Sequence, residues 1–213
     1  MANEPQSSGS RSGTVTVPWL IAIAASAGGI QAVRRILSTL PAELPAAIVI
    51  VQHRPPDYDG YLHELLSRRT SWSVRVASQG EAIKSGHVYL ARPDSHLTVT
   101  PDRTFMYRDG TRIRFLRSSA NPLFESAAKG FGGHVVGIVL TGFGRDATDG
   151  VQGVKEHGGV VIAQDQATSE QWGMPSSAIE SGAVDYVLPL DAIAPAIEHI
   201  VRGEPVPAIP ATS

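Results

Sequence analysis

The segment Trp19–Pro56, WLIAIAASAGGIQAVRRILSTLPAELPAAIVIVQHRPP, decides the fold. An apolar run ends at Ala25, helical period follows over Gly29–Thr39, and a second run, Ala46–His53, is nearly continuous in Val and Ile. Strands without polar alternation are expected where helices cover both faces of a parallel sheet. Outward from this segment, the first run reaches back to Val15 and helical period returns over Tyr58–Arg69, so the chain opens β-α-β-α. After Gly133 the pattern resumes with His134–Thr141, a helix about Ala147–His157, Val160–Gln164, a helix about Pro175–Gly182, Tyr186–Pro189 and a last helix Leu190–Arg202. A doubly wound, mostly parallel α/β sheet flanked by helices follows.

The middle of the chain reads differently. Ser73–Ala77, His87–Ala91, Leu97–Thr100, Thr104–Arg108 and Arg112–Leu116 are short and separated by turn signals such as Pro101-Asp102-Arg103 and Asp109-Gly110. They predict a small antiparallel β excursion inside one domain spanning 14–202. Outside that domain, Met1–Gly13 is polar and Gly203–Ser213 is rich in Pro and Ala, so both read as flexible tails.

Composition narrows the function. The chain has 213 residues, 42% hydrophobic and 18% charged, which suits one large globular domain and excludes wholesale disorder. A net charge of −2 with no basic cluster gives no footprint for nucleic acid or anionic lipid. With no cysteine, disulfides, thiolate zinc sites and cysteine nucleophiles are all absent. The longest uninterrupted apolar run, Trp19–Ala25, is too short to span a membrane, and Met1–Gly13 lacks a signal-peptide core. The expectation is a cytoplasmic protein without direct membrane insertion.

Ligands of open α/β sheets bind beyond the carboxyl ends of the strands, so the residues after each strand matter most. The first strand runs into Ala24-Ala25-Ser26-Ala27-Gly28-Gly29, the second into Val51-Gln52-His53, and the one after the excursion into Thr141-Gly142-Phe143-Gly144-Arg145-Asp146. Gly28-Gly29 would hold Ser26 at a helix start beside unpaired amides, the layout of an activated hydroxyl. On those residues alone a phosphate-binding loop is equally open. That alternative is weakened because no complete G-x-G-x-x-G or G-x-x-x-x-G-K-[ST] occurs and the second strand ends in Gln52-His53 where a ribose-binding acid is wanted. Of the seven histidines, His63, His157 and His199 fall on helices, His87 and His96 flank the excursion, and His134 opens a strand at the wrong edge. Only His53 leaves a strand at the carboxyl edge, with Pro55-Pro56 behind it, and imidazole is the natural general base near neutral pH. Asp146 is the candidate acid, although it could instead cap the helix that follows, and Asp149 is its rival within the first helical turn. No H-E-x-x-H or H-x-H pattern supports a metal site.

Taken with Gly173-Met174-Pro175, these motifs resemble the catalytic domain of CheB-type chemotaxis-receptor methylesterases from about Pro18 to Val201. That family carries A-S-T-G-G, Q-H-x-P-P, L-T-G-M-G-x-D-G and G-M-P in the same order. The resemblance implies a Ser26-His53-Asp146 triad, backbone oxyanion donors at Ala27 and Phe143, and no cofactor. It implies hydrolysis of glutamyl γ-methyl esters on cytoplasmic helices of methyl-accepting receptors, with deamidation of receptor glutamines as a companion activity. A methyltransferase and a separate receiver protein are the further partners it suggests. The alternative is a catalytically weak module that docks a receptor or methyltransferase. Ala27 stands where the family has threonine, Phe143 where it has methionine and Ala147 where glycine is usual. The family's N-terminal receiver domain has no counterpart before the first strand, so a stand-alone effector is expected.

Overall fold

The computed structural model describes residues 17–54, 61–108 and 118–207. Strand β1 (Trp19–Ala25) leads to helix α1 (Gly29–Thr39), strand β2 (Ala46–Gln52) and helix α2 (Tyr61–Ser67). Four short strands follow: β3 (Ser73–Val76), β4 (His87–Leu90), β5 (His96–Val99) and β6 (Phe105–Arg108). The chain closes with α3 (Asn121–Phe131), β7 (Val135–Val139), α4 (Thr148–Glu156), β8 (Val160–Gln164), α5 (Gly173–Glu180), β9 (Tyr186–Leu188) and α6 (Leu190–Arg202). A seven-stranded sheet has the order β3-β4-β2-β1-β7-β8-β9, and every adjacent pair in it is parallel.

Alternate residues of β1 serve opposite layers, as a strand's period of two requires. Leu20, Ala22 and Ala24 pack with Leu123, Phe124 and Val151 from α3 and α4, while Ile21, Ile23 and Ala25 pack with Val33, Ile36 and Ile197 from α1 and α6. Both layers bury apolar side chains, each worth about 1.5–3 kcal/mol when fully removed from water. The helices after β1 and β7 therefore lie on opposite faces of adjacent strands. The crevice between them is the switch point where this class of sheet binds ligands.

The main sheet is wider than the sequence predicts. β3 and β4 are not hairpin strands of the excursion but parallel members of the main sheet, with Val88 paired to both Ile48 and Val74. The residues between them, Ala77–Gly86, carry neither the Pro-Asp nor the Asp-Gly signal, and burial of Val88, Tyr89 and Leu90 suits an interior strand. Among the described strands, β5 and β6 form the antiparallel pair, with Leu97 opposite Tyr107. Helix α3, not predicted from the sequence, buries Leu123, Phe124, Ala127, Ala128 and Phe131. The expected strand Arg112–Leu116, the Asp109-Gly110 turn, Pro55-Pro56 and the tail Met1–Gly13 lie outside the described residues. Among the described residues no helix is long and apolar enough to cross a membrane.

Candidate active site

The β1–α1 turn puts Ser26 one residue past the sheet and two before Gly28. Gly28 is the N-cap of α1, with φ 75° and ψ −12°. Glycine adopts this left-handed conformation without strain, and a Cβ there would lie 2.7 Å from Glu170 Oε2. Hydrogen bonds hold the turn from three sides. The Ser26 amide donates to Thr141 O at 3.0 Å, Gln52 Nε2 donates to Ser26 O at 2.8 Å, and Thr141 Oγ1 donates to Ala27 O at 2.9 Å. Gly142 permits this closeness, since a Cβ at that position would lie 2.7 Å from Ser26 Cβ. The Gly173-Met174-Pro175 motif braces the same loop through Met174 N to Gly142 O at 2.8 Å.

His53 follows β2 directly, its amide donating to Ala25 O at 2.9 Å, so its position is fixed by the sheet itself. Its Nε2 lies 2.7 Å from Asp146 Oδ2, with the two side chains only 13% and 2% exposed. A carboxylate can only accept, so Nε2 carries a proton, and whenever the ring is neutral Nδ1 keeps its lone pair. Asp146 also receives the Ser119 hydroxyl on Oδ1 at 2.6 Å and the Ala120 amide on Oδ2 at 2.7 Å. Burial pushes this carboxyl up. The hydrogen bond and charge of His53, aided by Ser119 and Ala120, outweigh burial and hold the group below the ordinary carboxylate value.

Ser26, Ala27, Gln52 and His53 line one cavity of about 570 Å³ together with Ile30, Leu62 and Leu65. Asp146 stands behind His53, buried at 4% exposure, and does not cap α4, whose N-cap is Ala147. Asp149 lies exposed in the first turn of α4, and the partner of His53 is Asp146. The Phe143 side chain is 65% exposed. Among the described residues neither the Ala27 nor the Phe143 amide has an acceptor. An amide so placed can receive developing negative charge on a bound carbonyl oxygen.

Three contributors were not singled out from the sequence. Gln52 bridges the carbonyls of Ser26 and His53, at 2.8 and 3.1 Å, and its only signal was its place in the Q-H motif. Ser119 and Ala120 reach Asp146 from the residues just before α3, and nothing local in the sequence announces the contact.

The chain matches the family model described as CheB methylesterase over residues 21–197. It is 42% identical over 174 residues to a putative protein-glutamate methylesterase/protein-glutamine glutaminase of Leptospira interrogans, covering 82% of this chain and 90% of that protein. It is 41% identical to protein-glutamate methylesterase/protein-glutamine glutaminase 2 of Caulobacter vibrioides, covering 85% of this chain and 54% of that protein. The chain thus spans about half the length of the Caulobacter relative. Among solved structures, the Thermotoga maritima CheB methylesterase catalytic domain superimposes with a TM-score of 0.82 at 34% identity, covering 88% of this chain and 99% of that one.

Proposed function

The chain belongs to the CheB methylesterase family, and from that membership we propose that it hydrolyses glutamyl γ-methyl esters of a protein substrate through Ser26, His53 and Asp146. The observation that carries the assignment is the buried 2.7 Å bond from His53 Nε2 to Asp146, on the same sheet edge as the Ser26 turn. With Nε2 committed to the carboxylate, Nδ1 is the nitrogen that takes the serine proton. The chain order Ser, His, Asp needs no precedent, because such triads are defined by geometry.

Ser26 Oγ attacks the ester carbonyl while His53 accepts its proton. The amides of Ala27 and Phe143 take the oxyanion, where loss of one donor typically costs 10²–10³ in rate. His53 then protonates the departing methoxide, methanol leaves, and water deacylates Ser26 by the same steps in reverse, leaving a glutamate. A glutamine side chain entering the same site would release ammonia and yield the same acyl-enzyme, which matches the second activity in the names of the relatives. Methylated helices of chemoreceptors are the substrate we assign. We place the domain at 14–202.

Methanol release from methylated receptor membranes tests this reading. Ser26→Ala should reduce turnover on the order of 10⁶-fold with thermal unfolding unchanged. Activity within tenfold of wild type in that variant would remove the serine mechanism.

A further inference from the structure

We propose that Ser119 is a positioning residue of this reaction, acting through Asp146 and itself held in place by His96. The inference rests on the esterase reading above and adds a residue to it. Among the described residues three donors converge on the two carboxylate oxygens: His53 and Ala120 share Oδ2, and Ser119 alone serves Oδ1. Without the Ser119 hydroxyl, Oδ1 would be a buried, unpaired carboxylate oxygen. The carboxylate would then turn to find a partner and carry Oδ2 out of line with His53.

The direction of the Ser119 bond is fixed by its surroundings. Ser119 is 0% exposed, and its Oγ accepts from the Asn121 amide at 3.3 Å, which leaves its proton for Asp146. The Ser119 amide donates to His96 Nδ1 at 3.0 Å. His96 is 3% exposed, and because Nδ1 accepts, the ring proton sits on Nε2, which is buried with no partner among the described residues. His96 thus presents Nδ1 to the Ser119 amide and fixes where that residue sits. The chain His96, Ser119, Asp146, His53 thus runs from β5 through the start of α3 to the imidazole that activates Ser26.

The test uses the full chain and four variants, following kcat and KM for methanol release together with thermal unfolding. Ser119→Ala should lower kcat about 10- to 100-fold at unchanged KM, the scale of a hydrogen bond to a charged group. The far-downfield proton resonance of His53 Nε2–H should shift or broaden in the same variant. Ser119→Thr, which keeps the hydroxyl, should restore most of the rate. In an Asp146→Ala background, read on an activated aryl ester, adding Ser119→Ala should cost less than twofold more, because the hydroxyl acts only through the carboxylate.

A folded Ser119→Ala enzyme with kcat within threefold of wild type would overturn the proposal. So would a Ser119→Ala penalty that is undiminished in the Asp146→Ala background, since that marks an independent packing role. These failures are separable from failure of the esterase reading. The latter shows as a wild type that releases no methanol, or whose rate does not depend on Ser26.

Discussion

Replacing Asp146 by asparagine separates what its charge contributes from what its shape contributes, and the surrounding donors determine how the amide must sit. With the amide oxygen in the place of Oδ2, it accepts from both His53 Nε2 and the Ala120 amide, and its NH₂ points to Ser119 Oγ, which can accept. The reverse orientation sets NH₂ against the Ala120 N–H and strips that buried amide of its acceptor, at a cost of about 1–3 kcal/mol. It would also force the His53 proton onto Nδ1, the tautomer that cannot act as a base toward Ser26. The first orientation is therefore preferred and the working tautomer is kept. What is lost is the attraction between carboxylate and the imidazolium formed during attack. At 2.7 Å and an effective dielectric of about 20 this has an upper bound of about 6 kcal/mol, while net values for hydrogen bonds to charged groups are about 1.5–3 kcal/mol. The lower range applies because the neutral amide still accepts the bond, and at about 1.4 kcal/mol per decade kcat should fall about 10- to 100-fold. Tautomer reversal would cost about 10⁴-fold. Methanol-release kinetics give the first quantity, and nitrogen-15 spectra of labelled histidine give the tautomer. A loss of 10⁴-fold with the proton on Nδ1 would refute the reasoning from Ala120.

Three further outcomes follow from the same geometry. Asp149→Asn should leave methanol release within twofold and change stability by at most about 1 kcal/mol, the value of a carboxylate at a helix start, and a loss exceeding that of Asp146→Asn would reverse the choice of acid. Because the folded Asp146 carboxyl lies below its ordinary value of 3.8, the native state holds fewer protons there than the unfolded chain. Its stabilisation is fully present above the unfolded value and is lost as pH falls through the folded one, so from about pH 5 downward wild type should lose urea stability faster than Asp146→Asn, and parallel pH curves would contradict this. Ala27→Thr places a hydroxyl in the cavity beside Ser26 and should raise turnover by about tenfold or less, whereas a lower rate at unchanged stability would mean the turn is fitted around alanine.

What the sequence makes legible depends on how local the determinant is. β1, β2 and β7 announce themselves because their residues past Trp19 are all buried, and burial on both faces leaves only apolar choices. β3 does not, because its four residues alternate exposed and half-buried, a pattern equally suited to a hairpin. Its direction is set by β4, and β4 by β2, which are contacts far away in sequence. α3 does carry the spacing of Leu123, Phe124, Ala127, Ala128 and Phe131, but two alanines and the nearby Pro122 and Gly130 dilute it.

The site divides along the same line. The proposed residues Ser26, His53 and Asp146 can be picked out because each lies on the loop that follows a parallel strand's carboxyl end, where the edge rule applies. Ser119 cannot, since a serine just before a helix reads as a capping residue; its oxygen does accept the Asn121 amide, but its proton goes to Asp146. His96 flanks the excursion in sequence, and burial distinguishes it only in the fold. Ala147 is the most instructive case. It enters α4 with φ 72° and ψ −12°, nearly the values with which Gly28 enters α1, so the two loops flanking the crevice share one turn. At Gly28 that conformation is visible in the sequence. At Ala147 it costs about 1–2 kcal/mol that glycine would avoid, partly offset by about 0.8 kcal/mol from a methyl that is 0% exposed among Phe124 and Val151. The residual strain adjoins Asp146, whose three hydrogen bonds pin the loop and hold the alanine in a geometry its own propensity disfavours.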